Sequence, residues 1–201
     1  MSYQQRFSGL VRLYAQEGVE KLSKANICVI GIGGVGSWTA EALARSGINK
    51  ICLIDLDDVA ETNINRQIHS MSSTIEKSKI EVMRARIVDI NPDCQVELIE
   101  DFITPDNVRD YIDKRFDAVI DAADSVKAKA AIIAHCKRQR IKVFCIGGAG
   151  GQRDPLQIKK GDLAKTIQDP LLAKVRSELR RYYNFSQNTK RNFGVESIYS
   201  T

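Results

Sequence analysis

A short glycine-rich stretch is the first part of this chain that could do chemistry. From residue 31 it has the G-x-G-x-x-G spacing, with one extra glycine inside the motif. Residues 27–30 before it are typical of a buried strand, and an apolar helical face follows it until Gly47. A strand, a tight glycine turn and a helix N-terminus together can bind a nucleotide phosphate. The candidate phosphate-binding residues are Gly31, Gly33, Gly34, Gly36 and Ser37.

Charged and amide side chains follow the later strand patterns. Asp55 ends the second predicted strand and lies 19 residues after Gly36, where an acid can bind a ribose hydroxyl. Lys79 stands at the start of a later helix pattern, and two further acids close the fourth predicted strand. We therefore add eight candidates: Asp55, Asp57, Asn63, Arg66, Gln67, Lys79, Asp121 and Asp124.

These side chains favour a triphosphate over a nicotinamide cofactor. Arg66 and Lys79 are two cations that could reach a triphosphate. Asp121 and Asp124 are carboxylates where a Mg²⁺ on phosphate would sit. Each has a simpler alternative. Lys79 could be a surface charge, Arg66 could pair with Asp57, and the two later acids could cap the next helix. A hydride-transfer enzyme needs none of these residues, so their combination indicates ATP with Mg²⁺.

Strand and helix patterns alternate along the chain. This predicts an α/β fold, a Rossmann-like doubly wound and mostly parallel sheet with helices on both faces. Residues 31–36, 55–57, 121–124 and 147–151 all fall at the carboxyl ends of predicted strands, where such sheets bind ligands. The predicted strands are 27–30, 51–55, 96–99, 116–121, 143–146, 156–160 and 195–199, and the predicted helices are 3–24, 37–46, 75–90, 105–113, 127–139 and 170–183.

Composition excludes several protein classes. The 201 residues are 43% hydrophobic and 27% charged, which is ordinary for a globular protein. No apolar run is long enough for a membrane helix, and residues 1–10 lack a secretory signal pattern, so we expect a cytoplasmic protein without a membrane partner. The five cysteines include no C-x-x-C pair, which excludes a four-cysteine zinc site. Cys28, Cys52 and Cys145 lie in strand patterns and are expected to be buried.

The positive charge is concentrated in the last quarter of the chain. Residues 157–201 hold nine lysines and arginines against four acids, so they carry the entire net charge of +5. Tyr182, Tyr183, Phe185 and Phe193 are interleaved with these cations. The pattern predicts contact with a polyanion such as RNA, through phosphates and stacked bases. The alternative is an ordinary solvated helix face.

Taken together, these motifs resemble the ubiquitin-activating-enzyme-like adenylating superfamily, which includes the activators of sulfur carriers. Finer matches are similar to one branch, the tRNA threonylcarbamoyladenosine dehydratases. Two matches are specific to that branch, one after the fifth strand and one before the last helix. The motifs of the resemblance are Arg6-Phe-Ser-Gly, Arg12-Leu-Tyr, Gly34-Val-Gly-Ser-Trp38, Thr62-Asn-Ile-Asn-Arg-Gln-Ile-His69, Asp101-Phe-Ile-Thr-Pro-Asp-Asn107, Gly147-Gly-Ala-Gly-Gly-Gln152 and Asp162-Leu-Ala-Lys-Thr-Ile-Gln-Asp-Pro170.

The resemblance implies an ATP-dependent enzyme of the ligase or cyclase type. It would activate the threonyl carboxylate of N6-threonylcarbamoyladenosine in tRNA as an acyl-adenylate and cyclise it with loss of water. It implies that the glycine loop binds phosphate and Asp55 the ribose, and that Asn63 and Gln67 lie beside the triphosphate-binding cations. It also implies a homodimer, and it adds a monovalent cation and a sulfur-transfer protein as further candidates. The implied catalytic residues are Arg12, which would reach the neighbouring subunit, Arg66, Lys79 and the Mg²⁺ ligand Asp124, with Asp121 nearby.

Two other functions stay open at this point. The first is an enzyme that adenylates the C-terminus of a ubiquitin-like or sulfur-carrier protein, although the paired zinc-ligand motifs common in that group are missing. The second is a non-catalytic module that senses NAD or another nucleotide. We expect a single adenylating domain over residues 1–201, with a helical arm at 1–24 and a basic substrate-side segment at 157–201. We also expect the native chain to continue beyond Thr201, and we name no catalytic cysteine.

Overall fold

The computed structural model describes residues 2–201 and has an α/β architecture. Its seven strands form one sheet in the order β3-β2-β1-β4-β5-β7-β6. Every neighbouring pair whose register is defined is parallel, except that β6 runs antiparallel to β7. The expected Rossmann-like, mostly parallel sheet is confirmed. The strands are β1 Asn26–Ile30, β2 Lys50–Ile54, β3 Gln95–Ile99, β4 Ala118–Asp121, β5 Lys142–Ile146, β6 Ile158–Asp162 and β7 Glu196–Ser200, and the helices are α1 Tyr3–Lys24, α2 Gly36–Arg45, α3 Lys79–Ile90, α4 Val108–Tyr111, α5 Val126–Gln139 and α6 Pro170–Tyr182.

Internal contacts divide the chain into two compact units. The first unit runs to Phe102 and includes Arg115–Asp117. The second unit comprises Ile103–Lys114 and Ala118–Thr201. Our expectation of one domain over residues 1–201 stays a prediction.

In the first unit, apolar strands form the centre and α1 attaches to the loops around them. Nearly every side chain of β1 and β2 is buried, as continuous apolar strands of a parallel sheet should be. Near the start of α1, Phe7 is buried and the Tyr3 hydroxyl donates to the carbonyl of Gly47 at 2.6 Å. Ala15 has a φ of 56°, which places a kink inside the predicted helix 3–24.

Two predicted helices are shorter than the sequence indicated. The helix predicted from residue 75 begins at Lys79, because the preceding residues pair with Val59 instead. The amide of Glu76 donates to the Val59 carbonyl at 2.9 Å, and Glu76 itself has a φ of 63°. The helix predicted from residue 105 begins at Val108, because Thr104 and Asn107 exchange side-chain hydrogen bonds with each other's amides. These bonds form a turn in place of the first helical turn.

In the second unit, a half-buried acid anchors the connection between β6 and β7. The Asp162 carboxylate at the end of β6 accepts the amides of Ala164 and Phe193 at 2.9 Å each. It also accepts those of Gly194 at 2.7 Å and Val195 at 3.2 Å. One side chain therefore fixes the segment that enters β7.

All five cysteines are free and buried, which confirms the expectation for Cys28, Cys52 and Cys145. Burial raises the pKa of the Cys94 thiol to about 11. It raises those of Cys136 and Cys145 to about 12. Thiols with such pKa values stay protonated at neutral pH and are poor nucleophiles. This agrees with naming no catalytic cysteine among them.

We expect Asp162→Ala to lower the free energy of unfolding by about 3 kcal/mol, because it removes charge-assisted hydrogen bonds to four amides. Urea denaturation measures the loss, and hydrogen exchange should show faster exchange at the amides of Phe193 to Val195. Asp154→Ala is the matched control, since that exposed aspartate accepts only one backbone amide, from Leu156 at 2.9 Å. Equal losses in the two variants would contradict the anchoring role of Asp162.

Candidate functional site

The glycine loop makes the sharp turn that its sequence predicts. Gly31 has a φ of 83°, in the left-handed region that favours glycine, and its amide donates to the Ile54 carbonyl at 2.9 Å. Ser37 is fully buried, and its hydroxyl donates to the Gly33 carbonyl at 2.6 Å. The loop therefore leads from the end of β1 straight into α2, whose N-terminus favours an anion.

The buried Asp55 carboxylate joins this loop to the end of β2. One oxygen accepts the amide of Ile32 at 2.5 Å and the other accepts that of Asp57 at 2.9 Å. Burial raises the pKa of Asp55, although these hydrogen bonds and the nearby charge of Lys79 oppose the rise. Asp55 thus holds the loop against β2, and a carboxylate still has lone pairs free for a ribose hydroxyl.

Lys79 and Asp57 form an ion pair at the same strand end. The lysine Nζ lies 2.7 Å from a carboxylate oxygen, and the lysine side chain is only 7% exposed while the aspartate is 52% exposed. Lys79 is therefore not a surface charge, and the alternative that Asp57 pairs with Arg66 is wrong. A buried ammonium with a single, half-exposed partner can turn toward a bound phosphate.

Arg66 lies beside the glycine loop. Its guanidinium donates to the Thr62 carbonyl at 2.9 Å and to the Asn65 side chain at 3.0 Å. Its aliphatic stem passes so close that a Cβ at Gly34 would lie 3.4 Å from Cγ of Arg66. The Trp38 indole donates to the Arg66 carbonyl at 3.0 Å, which ties this residue to α2. This supporting role of Trp38 is not evident from the sequence, where Trp38 only marks the apolar face of the helix.

Two buried amide side chains flank Arg66. Asn63 accepts the amide of Ala60 at 3.0 Å and so shapes the turn. Gln67 is buried, and its side-chain carbonyl has no partner within residues 2–201. An unpartnered buried polar atom is costly unless a ligand or water satisfies it. The first unit therefore brings together the glycine loop, Asp55, Asp57, Asn63, Arg66, Gln67 and Lys79.

Asp121 and Asp124 lie in the second unit, after β4. Asp121 is fully buried, and Nζ of Lys129 lies 3.2 Å from its carboxylate and 2.9 Å from its carbonyl oxygen. Burial raises the pKa of Asp121, against the opposing charge of Lys129. Asp124 is exposed. The helix-cap alternative is wrong for both acids, because Ser125 caps α5.

Lys129 is a residue that the sequence analysis missed. It lies in the alanine-rich helix α5, where it is fully buried. A lone lysine on an apolar helix face, eight residues after a strand-end aspartate, was the available signal.

The two branch-specific motifs contact each other in the second unit. Asp169 accepts the amide of Gly148 at 2.9 Å and caps α6 through the amide of Leu172 at 2.8 Å. A side chain at Gly147 would overlap the same carboxylate, so this position requires glycine. The contact fixes the start of the glycine-rich loop after β5, whose later residues are exposed.

The remaining candidate, Arg12, lies on the exposed part of α1 before the kink. It forms no ion pair with any residue from 2 to 201. Within the same range, no group of three or more histidine, cysteine, aspartate or glutamate side chains could hold a metal ion. None of the described helices is long and apolar enough to cross a membrane.

Comparison with known proteins identifies the family. The model of the ThiF family matches residues 6–174. The chain belongs to the ThiF family. A tRNA threonylcarbamoyladenosine dehydratase from Haemophilus influenzae is 60% identical over 200 residues, covering 100% of this chain and 77% of the relative. The resemblance to that branch is thereby confirmed.

Solved structures of a tRNA N6-threonylcarbamoyladenosine dehydratase also match this chain. The E. coli tRNA N6-threonylcarbamoyladenosine dehydratase, TcdA, in complex with ATP matches with a TM-score of 0.96 and 53% identity, over 98% of this chain and 82% of that chain. Its complex with AMP matches equally well, over 98% of this chain and 80% of that chain. The E. coli enzyme therefore has this fold when it binds adenine nucleotides.

His69, three residues after Arg66, should make the stability of this ThiF-family protein depend on pH. The side chain is fully buried, and neither ring nitrogen has a hydrogen-bond partner within residues 2–201. Burial, together with the charges of Lys79 and Arg86, lowers its pKa from 6.5 to about 4. Since the unfolded chain binds this proton more readily, His69 favours folding above pH 6.5, and this contribution is lost as the pH falls toward 4.

We expect the free energy of unfolding to fall by about 2 kcal/mol from this source between pH 7 and pH 5. Urea denaturation of the wild type and His69→Gln at both pH values measures it. His135→Gln controls for the loss of a buried histidine. An equal pH dependence in wild type and His69→Gln would contradict the assignment.

Proposed function

We propose that this chain is an ATP-dependent tRNA-modifying enzyme. It activates the threonyl carboxylate of N6-threonylcarbamoyladenosine in tRNA and cyclises it with loss of water. The observation that carries this proposal is the joining of the glycine loop to the buried Lys79 through Asp55 and Asp57. Membership of the ThiF family and the high identity to the dehydratase of H. influenzae support the choice of substrate.

The residues of the first unit fit a nucleotide triphosphate. Gly33 and Gly34 leave the backbone open to phosphate, and Lys79 and Arg66 supply positive charge. The unpartnered carbonyl of Gln67 and the spare lone pairs of Asp55 can accept hydrogen bonds from a ligand. Asn63 holds the turn that carries these side chains. We therefore propose that ATP is bound by the glycine loop, Asp55, Asp57, Asn63, Arg66, Gln67 and Lys79.

The chemistry follows from the poor leaving group of a carboxylate. An oxygen of the threonyl carboxylate attacks the α-phosphorus of ATP, pyrophosphate leaves, and an acyl-adenylate forms. The carbamoyl group then closes on the acyl carbon and gives up one N–H proton, and AMP leaves with the carboxylate oxygen, so that the proton and this oxygen account for the loss of water. This chain contributes positioning and charge stabilisation at the phosphates rather than a nucleophile, in agreement with the raised thiol pKa values of Cys94, Cys136 and Cys145.

The exposed carboxylate of Asp124 is our proposed Mg²⁺ ligand. Mg²⁺ on a nucleotide uses one or two carboxylates together with phosphate oxygens and water, so no larger cluster of protein ligands is needed. The buried Asp121 positions the loop that carries Asp124, since its carboxylate accepts the amide of Ala123 at 3.2 Å. A monovalent cation is a further proposed cofactor.

We also propose that the active unit is a cytoplasmic homodimer. The exposed guanidinium of Arg12 is available to reach the phosphates of a second subunit. Val11, Leu13 and Tyr14 beside it are also exposed, which suits a helix that a second copy covers. A sulfur-transfer protein is a further proposed partner, suggested by the sulfur-carrier activators of the superfamily.

The alternative function is adenylation of the C-terminus of a small carrier protein, and ATP–pyrophosphate exchange distinguishes the two. We expect tRNA carrying N6-threonylcarbamoyladenosine to drive exchange, and Lys79→Met to slow it at least a hundredfold through loss of a phosphate contact. Lys77→Met, at an exposed position two residues earlier, is the control and should change the rate little. Exchange driven by a sulfur-carrier protein but not by modified tRNA would overturn the proposal.

Gly34→Val tests the phosphate loop itself. The backbone at Gly34 is not in the left-handed region, so valine fits locally, but its methyl groups would displace the stem of Arg66 and fill the phosphate approach. We expect calorimetry to show at least tenfold weaker ATP–Mg²⁺ binding with little change in melting temperature. The matched control is Gly9→Val, where nothing lies within 4 Å of an added Cβ. A folded Gly34→Val protein with the wild-type exchange rate would contradict the assignment.

A further inference from the structure

Exposed cations from three segments meet at one end of the second unit. Two come from the last turn of α5, one from the turn before β5, one from the last turn of α6, and two from the loop before β7. We name this set the basic rim: Lys137, Arg138, Arg140, Arg181, Lys190 and Arg191. The count of charges along the sequence predicts the positive surface in residues 157–201, whereas three members of the rim precede that segment.

The topology puts the basic rim at the amino ends of the strands. Since β5 and β7 are parallel, the segments that enter them lie at the same end. The Lys137 ammonium donates to the Gly194 carbonyl at 3.0 Å, which joins α5 to the loop before β7. Asp124 and the loop after β5 lie at the opposite, carboxyl ends. The rim is therefore far from the proposed Mg²⁺ ligand.

The length of α6 gives the scale of this separation. The helix starts at Asp169, which binds Gly148 after β5, and it ends beside the basic rim. Its 13 residues span about 20 Å at 1.5 Å per residue. A ligand that contacts both ends must therefore be extended and anionic over at least that distance.

The charges at the basic rim are not balanced by acids. Asp162 is engaged with backbone amides, and Glu196 pairs with Lys142 at 3.5 Å and Lys160 at 2.8 Å. Asp106 and Glu178, whose charges act on Tyr183 beside the rim, are two acids against the six cations of the rim. Cations in the last turn of a helix complement its dipole, which accounts for three members of the rim. It does not account for those outside the helices.

The loop before β7 holds its cations in place. Asp162 anchors its end, and Lys165 donates to the Thr189 carbonyl at 2.6 Å. Lys190 and Arg191 are exposed at its tip and form no ion pair within residues 2–201. A charged surface that is ordered before binding loses less conformational entropy when it binds.

The two phenylalanines of this region contact each other. Phe193 is buried against Phe185, with ring centroids 5.0 Å apart, and Arg180 covers it at 5.2 Å. Arg138 lies 5.9 Å from the Tyr183 ring and Arg181 lies 5.1 Å from the Tyr182 ring. Base stacking by the four aromatics stays a prediction, and Tyr182 is the member of the set that is exposed. The exposed cations of the rim are suited to phosphates.

We propose that the basic rim binds backbone phosphates of the tRNA about 20 Å from the modified adenosine. This inference rests on the proposed function, because it assumes that tRNA is the substrate. With one phosphate per about 3.4 Å along a duplex strand, the rim meets a stem roughly six nucleotides from the reacting residue. It recognises the shape and charge of that stem and not its sequence.

The test uses the double variant Lys190→Gln with Arg191→Gln and two RNAs that carry the same modified adenosine. One is full-length tRNA, and the other is a short hairpin that ends about four nucleotides from that adenosine, about 14 Å along the strand, and therefore cannot reach the rim. For full-length tRNA we expect about tenfold weaker binding at low salt. We also expect the plot of log K against the logarithm of the salt concentration to have a slope that is less steep by about 1.4 to 1.8. For the hairpin we expect unchanged binding and an unchanged kcat.

The control is the double variant Lys24→Gln with Lys50→Gln, which removes two exposed cations of the first unit. If the rim variant binds full-length tRNA as the wild type does, the proposal that the basic rim binds tRNA is wrong, while the proposed function is unaffected. This result would point to another partner for the rim, such as an acidic protein. Equal weakening for tRNA and hairpin would also overturn it. A wild-type protein that binds ATP but neither RNA would overturn the proposed function together with the rim.

Discussion

The candidate site depends on one buried carboxylate, that of Asp55. Two strands in parallel register bring the turn after β1 next to the end of β2, but backbone pairing ends there. Asp55 continues the connection by accepting the amides of Ile32 and Asp57. One amide belongs to the glycine loop, and the other belongs to the residue that holds Lys79. The phosphate loop and its nearest buried cation therefore have a fixed relation before any ligand binds.

In the second unit, aspartate carboxylates also hold loops in place. Asp121, Asp162 and Asp169 are each turned inward to amides or a buried ammonium, and each fixes a loop. Asp57 and Asp124 instead have exposed carboxylates. Burial of an unpaired carboxylate is costly, so each buried strand-end acid has backbone amides or an ammonium as partners. Asp55 combines the two roles, because it anchors two amides and keeps lone pairs for a ligand.

Local patterns in the sequence were sufficient for the fold but not for all contacts. Alternating apolar strands and amphipathic helices predicted the sheet, because their period is set by residues close in sequence. The start of α3 was wrong because residues near Glu76 pair with Val59, a contact between distant positions. The ion pair of Lys79 with Asp57 and the burial of Lys129 also depend on which segments meet. Residue type indicated their chemistry, and only the fold selected their partners.

The distribution of charge shows most clearly that local sequence patterns do not reveal which distant segments meet. Counting along the chain assigned all excess charge to residues 157–201, yet several of those cations have partners within the chain. Lys160 is paired with Glu196, and Arg176 and Lys165 donate hydrogen bonds to Thr166 and to the Thr189 carbonyl. Meanwhile Lys137, Arg138 and Arg140, from a segment of no apparent excess, join the loop tip at the amino ends of the strands. An electrostatic surface is a property of the folded chain, since parallel strands gather the ends of helices that are distant in sequence.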